Sequence, residues 1–289
     1  MIETATQLKA KVRNLSGSDS KKAQTLIRNF IMERFLERIA LSRYRNNFIL
    51  KGGMLVAAVV GLDTRATMDI DTTVKSLNLD KENATRIIED IIAVEIPDGV
   101  QFRITKVADI MEEHDYPGIR FMLEATLDKM HQAIKIDIST GDIITPHAVE
   151  YSYHLMFDNR AISLWTYNLE TLLAEKLETI MARGIANTRM RDFYDIHVIS
   201  QQESFDTEVL KKAFLATSEK RDTTAQIPDF RNILSSVESD EVMKRQWETF
   251  KEDSFFVGEL PWENVMESVK ELAEKVLREV HDPGTAPSS

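Results

Sequence analysis

Two aspartates separated by a single residue carry the clearest chemical signal in the chain. They end the segment from Arg65 to Asp71, which reads RATMDID. In a strand, alternate side chains share one face, which here would carry Arg65, Thr67, Asp69 and Asp71. Neighbouring carboxylates repel each other unless a cation lies between them, and their oxygens suit Mg²⁺ or Mn²⁺. Asp69 and Asp71 are therefore predicted metal ligands and catalytic residues, although D-x-D also fits an ordinary solvated strand face.

A third carboxylate follows on a later strand. Residues 134–138 read IKIDI, so Asp137 faces away from the isoleucines on either side of it. A strand next to the first would place Asp137 beside the aspartate pair and make it a further metal ligand. The alternative is an ordinary exposed strand position.

A glycine pair lies where a short apolar run meets a helical one. Lys51-Gly52-Gly53 follows residues 48–50, and residues 54–60 are apolar. Glycines at a strand–helix turn let backbone N–H groups approach an anion at the helix N-terminus. Lys51, Gly52 and Gly53, with Arg65 and Thr67, are predicted to contact an anionic group such as a phosphate. A plain turn that needs a positive φ is the alternative.

The helix predicted over 169–183 places a lysine on its apolar stripe. Leu169, Leu172, Leu173 and Ile180 form that stripe, and Lys176 falls near its middle. Because lysine is rarely buried without a partner, we expect Lys176 to face a cleft between lobes and to act in catalysis. Arg183 points to nearly the same side and could bind phosphate. A snorkelling lysine would also explain the pattern.

A charged segment begins the next predicted helix. Residues 189–195 read RMRDFYD. Arg189 and Arg191 are predicted phosphate-binding residues, and Asp192 a catalytic base or a partner for Lys176. A capped helix with surface ion pairs is the alternative, and such pairs contribute little stability.

The elements that must position these residues change type along the chain. Helical spacing covers 20–44, 54–60 and 80–93, and alternation predicts strands over 68–74, 100–105, 119–127 and 134–138. From Asn168 the pattern is helical only, over 169–183, 191–201, 206–218, 239–252 and 262–280. The prediction is an α+β, bilobed fold: a mixed sheet with flanking helices over 1–150, a helical lobe over 151–280, and a disordered tail over 281–289.

Composition limits the possible functions. The 289 residues include no cysteine, which excludes disulfides, thiolate metal sites and a cysteine nucleophile. No apolar stretch is long enough to span a bilayer, and no signal peptide is evident, so a cytoplasmic location without membrane contact is expected. The net charge is −11, so that any contact with RNA should use a local basic patch.

Taken together, the glycine turn, the D-x-D strand and the later strand aspartate resemble the polymerase-β-like nucleotidyltransferase superfamily. Within it, the chain resembles the AbiEii/AbiGii toxin family. The resemblance covers about residues 48–200, and its motifs are KGG, R-x-T-x-D-I-D, KID, EKL and R-x-R-D-F-Y-D, beginning at Lys51, Arg65, Lys135, Glu175 and Arg189.

The resemblance implies a toxin of a type IV toxin–antitoxin system linked to abortive phage infection, with an antitoxin encoded nearby. It implies transfer of a nucleotide from an NTP, in some relatives to tRNA acceptor ends. It makes Asp69 and Asp71 metal ligands, with Asp137 a weaker match, and matches Lys176 and Asp192 to the essential lysine and aspartate of the later motifs. Relatives often have Ser or Thr at the glycine turn where Met54 stands here, so no side-chain hydroxyl can contact phosphate from that position.

The leading hypothesis is metal-dependent transfer of a nucleoside monophosphate from an NTP, with RNA such as a tRNA 3′ end as acceptor. A protein or small-molecule hydroxyl is a second possible acceptor, which the acidity of the chain mildly favours. A nucleotide-binding module without turnover is a third hypothesis.

Overall fold

The structure is a computed structural model that describes residues 2–77, 79–110 and 118–278. The tail predicted to be disordered, 281–289, lies outside these residues. By proximity of its Cα atoms the chain divides into two units. Unit 1 comprises 1–62, 66–142 and 148–167, and unit 2 comprises 63–65, 143–147 and 168–289.

In the residues that the structure describes, unit 1 contains a mixed sheet and four helices. The helices are α1 (Ala5–Ser16), α2 (Ser20–Leu41), α3 (Gly52–Val60) and α4 (Lys81–Ile92). The strands are β1 (Phe48–Lys51), β2 (Asp69–Val74), β3 (Val100–Ile110), β4 (Gly118–Leu127), β5 (Met130–Thr140), β6 (Val149–His154) and β7 (Ala161–Thr166).

The seven strands lie in the order β3-β4-β5-β2-β1-β7-β6. The β2–β5 and β1–β7 pairs are parallel and the others antiparallel. Ile134, Ile136 and Ile138 are at most 1% exposed, whereas the side chains between them are partly exposed, as expected for a sheet with one buried face. α2 packs against β5 and β7, and α4 packs against β3.

Helix α2 carries charges into the core of unit 1. Arg38 is 3% exposed and donates to both oxygens of the fully buried Asp98, at 2.8 and 3.1 Å. Glu33 accepts the backbone N–H of Met156 at 3.0 Å. Burial raises the pKa of Glu33 to about 7, although its hydrogen bonds and the positive charge of Arg34 act to lower it. These paired groups explain why residues 29–39 of α2 are buried all round although several of them are charged.

Unit 2 is helical. Its helices are α5 (Leu169–Arg183), α6 (Met190–Gln202), α7 (Thr207–Lys220), α8 (Phe230–Ser239), α9 (Glu241–Asp253) and α10 (Trp262–Leu277). The side chain of Asn168 caps α5 through the backbone N–H of Thr171 at 2.7 Å. Packing between aromatic rings fills the interior where α6, α9 and α10 meet, through Phe193, Tyr194, Trp247 and Trp262.

The α+β class with a mixed sheet is confirmed, and two features differ from the sequence analysis. Strands β6 and β7 lie where the strand pattern had faded, and residues 148–167 belong with the sheet, although residues from 151 onward had been assigned to the helices. Strand β2 begins at Asp69, so Arg65 and Thr67 precede the strand on which they were placed. No helix of the described residues combines the length and apolar character that a bilayer span requires.

Candidate active site

Four neighbouring strands of unit 1 place charged side chains in a row. Asp71 on β2 is in register with Asp137 on β5 and with Lys51 on β1, and Asp137 is in register with Arg120 on β4. We call these four residues the charged row. Asp69 and Lys135 are themselves register partners two residues before Asp71 and Asp137, so they lie on the same face of the sheet.

Ion pairs connect the carboxylates of this face. The Nζ of Lys135 lies 2.6 Å from Oδ2 of Asp69 and 3.6 Å from Oδ2 of Asp137. Arg120 donates to both oxygens of Asp137, each at 2.8 Å. The hydroxyl of Thr67 donates to Oδ1 of Asp69 at 3.0 Å. Asp69 and Asp137 are thus each held by a cation of the same sheet.

Asp71 is a carboxylate whose pKa is strongly raised. Burial raises its pKa to about 7, and the charges of Asp69 and Asp137 add to the shift. Lys51 and Lys135 act in the opposite direction and do not cancel it. At neutral pH, Asp71 therefore lies near its midpoint, as expected where several carboxylates share a site without enough positive charge.

The first glycine of the turn lies directly against Asp71. Gly52 has φ +65°, in the left-handed region, and begins α3. A Cβ added there would stand 2.8 Å from Cβ of Asp71 and closer still to its Oδ2. Both the backbone conformation and the space beside Asp71 therefore require glycine, and the N-terminus of α3 lies next to the carboxylates.

Lys51 is positioned by a buried aspartate that the sequence analysis did not identify. The side chain of Asp142 is fully buried and accepts hydrogen bonds from the ammonium of Lys51, the phenol of Tyr167 at 2.7 Å and the hydroxyl of Ser139 at 3.0 Å. Three donors converge on its Oδ2, which fixes the Lys51 side chain at the end of the charged row.

A cation from α2 approaches the other aspartate. The guanidinium of Arg28 donates to the sulfur of Met68, the residue before Asp69. Burial lowers the pKa of Arg28, and the negative charge of Asp69 partly offsets that effect. Arg28 is therefore another cation of unit 1 beside the predicted metal ligands.

In unit 2, Lys176 lies in a buried ion network. Its Nζ is 2.7 Å from Oδ1 of Asp192 and 2.8 Å from Oδ2 of Asp195. Asp195 is fully buried and also accepts from Nε of Arg65 at 2.5 Å. Burial alone would lower the pKa of Lys176, but the two aspartates raise it well above the ordinary value. Lys176 is therefore a cation at any physiological pH.

The arginines predicted to bind phosphate surround the start of α6. Arg183 lies in the last turn of α5 and is half-buried, Arg189 is the residue before α6 and is half-buried, and Arg191 is exposed in the first turn of α6. Their contact with a nucleotide stays a prediction, as do the roles assigned to the other predicted site residues.

The sequence of the chain matches one family over most of its length. The model of the nucleotidyl transferase AbiEii toxin family of type IV toxin–antitoxin systems matches residues 34–275. The chain belongs to this family. It is a nucleotidyltransferase, and its family implies an NTP substrate and an antitoxin partner. The resemblance found in the sequence motifs is confirmed.

Solved structures with a similar fold have little sequence identity to this AbiEii family member. A candidate nucleotidyltransferase from H. pylori and JHP933 from Helicobacter pylori are each 15% identical, with TM-scores of 0.47 and 0.46. They cover 91% and 90% of this chain, and 99% and 96% of their own. An antigenic nucleotidyltransferase-like protein from Paracoccidioides brasiliensis is 13% identical, with a TM-score of 0.37, over 81% of this chain and 94% of its own. Comparison with curated proteins gives no match.

Nucleotidyltransferases of this kind usually need a divalent metal, and the residues of unit 1 fit one. Asp69 and Asp71 offer hard oxygen ligands on one face. Burial and, after it, the charges of Asp69 and Asp137 raise the pKa of Asp71, and a bound cation would oppose both effects. Within the described ranges, no three acidic or histidine side chains are arranged to enclose an ion. Mg²⁺, however, is usually held by one or two carboxylates together with substrate phosphates. The third predicted ligand, Asp137, has both oxygens bound by Arg120.

Several residues around these sites were not singled out from the sequence. Lys135 carried a signal, since it is two residues from Asp137 on the same strand. Arg120 and Arg28 carried none, because only the β4–β5 register and the packing of α2 bring them to the aspartates. Asp195 was noted only for its position one helical turn after Asp192, yet it is the buried centre of the unit 2 network.

Proposed function

We propose that this AbiEii family member transfers a nucleoside monophosphate from an NTP to an RNA 3′ end, such as that of a tRNA, with a divalent metal held by Asp69 and Asp71. The observation that carries the proposal is the charged face of unit 1, where Asp71 lies against Gly52 and in register with Asp137 and Lys51. When bound, the metal would neutralise phosphate charge and help to ionise the attacking hydroxyl.

The reaction forms one bond and breaks one. The acceptor hydroxyl oxygen bonds to the α-phosphorus, the bond from that phosphorus to the pyrophosphate oxygen breaks, and the hydroxyl proton passes to a carboxylate of the set. The N-terminus of α3 and Lys51 are suited to bind the phosphates, since both supply positive charge beside Asp71. Catalysis of this kind depends on positioning and charge stabilisation rather than on a covalent intermediate.

Support for an RNA acceptor comes from the resemblance to relatives that act on tRNA and from arginines near the start of α6. A role in phage defence follows from the same resemblance. The net charge of −11 supports the second candidate acceptor, a protein or small molecule that does not have to overcome electrostatic repulsion.

Label transfer tests the proposal. The protein is incubated with each α-³²P-labelled NTP, Mg²⁺ and separated RNA, protein and metabolite fractions. The proposal predicts label in RNA for the wild type and none for Asp71→Asn. Label in the protein or metabolite fraction would support the second acceptor, and equal label for both variants would contradict transfer at Asp71. Nucleotide binding without any labelled product would favour a binding module.

A further inference from the structure

Lys135 occupies the position between two of the three carboxylates. Its ammonium is 2.6 Å from Asp69 and 3.6 Å from Asp137. Burial alone would lower its pKa, but the hydrogen bond and charge of Asp69 outweigh this and raise it. The side chain is 29% exposed, so the ammonium is a firmly charged group that can still turn towards solvent.

The cations on this face are held in different ways. Arg120 donates two hydrogen bonds to Asp137, one to each carboxylate oxygen. Lys51 is held by the buried carboxylate of Asp142. Lys135 makes its close contact with a single oxygen of Asp69 through a flexible stem. A monodentate ammonium is easier to displace than a bidentate guanidinium. Of these three cations, Lys135 is therefore the one that can leave its carboxylate most readily.

A metal ion that binds Asp69 has to compete with this ammonium. A divalent ion arriving alone must break the Lys135–Asp69 pair and would leave Lys135 close to a second positive charge. An ion arriving with a nucleotide brings phosphate oxygens that can accept hydrogen bonds from the displaced ammonium. The free energy needed to break the Lys135–Asp69 pair is then offset by the new hydrogen bonds between Lys135 and the phosphate.

We propose that Lys135 is an exchangeable counter-ion, which holds Asp69 in the metal-free protein and transfers to a phosphate of the nucleotide when metal and nucleotide bind together. The inference rests on the proposed function for the identity of the ligands. Its consequence is positive coupling: each ligand binds more tightly in the presence of the other, and the coupling is lost when Lys135 is lost.

Binding without turnover tests this inference. Free Mn²⁺ is measured by electron paramagnetic resonance during titration of the full chain, alone and with the α,β-methylene analogue of each ribonucleoside triphosphate in turn. For the wild type we expect weak Mn²⁺ binding that an analogue strengthens by about tenfold or more. For Lys135→Met we expect Mn²⁺ alone to bind about five- to tenfold more tightly, with most of the coupling lost.

Lys106→Met is the matched control, because Lys106 is an exposed lysine on β3 and its loss changes the net charge equally. Lys106→Met should leave unchanged both the affinity for Mn²⁺ alone and the strengthening of Mn²⁺ binding by the analogue. Lys135→Arg keeps the charge but can hold Asp69 with two hydrogen bonds, so it should not tighten the binding of Mn²⁺ alone. Lys135→Gln replaces Lys135→Met if the latter does not fold.

Unchanged or weaker Mn²⁺ binding in the folded neutral variant, or coupling equal to that of the wild type, would overturn the inference. The outcome is separable from that of the label-transfer assay. If the wild type transfers label but Lys135→Met binds Mn²⁺ with unchanged affinity, only the counter-ion role of Lys135 is overturned. The expected shift without any label transfer overturns only the proposed reaction. Absence of Mn²⁺ binding in every variant overturns both.

Discussion

Asp71 shows how an arrangement suited to catalysis weakens the fold that carries it. It is a half-buried residue beside Asp69 and Asp137, and partial removal from water together with their charges raises its pKa to about 7. A carboxylate that is harder to ionise in the folded chain than in the unfolded one destabilises the fold above its folded pKa. This loss of folding stability develops as the pH rises from about 4, the pKa in the unfolded chain, to about 7, the pKa in the folded one.

Asp71→Asn is therefore expected to abolish transfer and to stabilise the protein. At pH 8 the gain should be on the order of 1–2 kcal/mol, because a half-buried charge and its repulsion are removed, and below about pH 4 it should vanish. Urea denaturation across this pH range measures it. Asp109→Asn, an exposed aspartate on β3, should show no such gain, and a destabilised Asp71→Asn at pH 8 would contradict the argument.

The buried Asp142 illustrates the opposite case, a carboxylate that receives three donors on one of its oxygens. Asp142→Asn should cost roughly 2–4 kcal/mol, because Lys51 loses the negative charge of Asp142 and the remaining amide oxygen is a weaker acceptor for the ammonium and the two hydroxyl groups. Tyr167→Phe removes one of the three donors and should cost about 1 kcal/mol. Equal losses in the two variants, measured by urea denaturation, would show that Asp142 does not organise this cluster.

Lys176 combines a predicted catalytic role with a structural one, and a pair of variants separates them. Lys176→Met leaves Asp192 and Asp195 without their shared cation, at a cost of about 3 kcal/mol or more. Adding Asp195→Asn, at a residue with no predicted catalytic role, removes one of the two negative charges and should restore part of the stability. Transfer should stay absent in the double variant. Recovery of transfer together with stability would show that Lys176 acts only on the fold.

At the scale of elements, helix α3 carries a glycine at each end, and the two differ in one respect. Gly52 and Gly61 both have positive φ, but an added Cβ meets Asp71 only at Gly52. Gly61→Ala should cost about 1–2 kcal/mol from backbone strain, with activity retained. Gly52→Ala should lose transfer altogether, since either α3 or Asp71 must move. Circular dichroism melting and the label-transfer assay measure the two effects, and an active Gly52→Ala would refute the close approach of α3 to Asp71.

The elements that the sequence predicted are those with a regular period. Alternation over 134–138 gave β5, and helical spacing gave α2 and α5 to within a few residues. Strands β6 and β7 are only six residues long, and they were missed although VEYSYH alternates apolar and polar residues; AISLWT places apolar residues on both faces. Among the residues of the candidate site, those that belong to local sequence motifs could be identified from the sequence. The Arg120–Asp137 pair depends on strand register and the Arg28–Met68 contact on helix packing, and neither is set by local sequence.

At the scale of the whole molecule, the two units are interleaved along the chain. Residues 63–65 and 143–147 belong to the helical unit although they interrupt the sheet unit in sequence. Both segments supply contacts inside unit 2: Arg65 pairs with Asp195, and the carbonyl of Thr145 accepts from the side chain of Asn168 at 2.7 Å. Residues 168–278 alone therefore lack partners for groups buried among their own helices.

This interleaving makes Arg65 a stabilising residue of the helices rather than of the strand that follows it. Arg65→Met leaves the fully buried Asp195 with Lys176 alone, and the loss should be about 3–5 kcal/mol. Hydrogen exchange should accelerate first in α5 and α6, where the network is anchored. Arg45→Met, which removes the ion pair with the exposed Glu150, should change exchange little. Faster exchange confined to β2 would instead mean that Arg65 stabilises the strand.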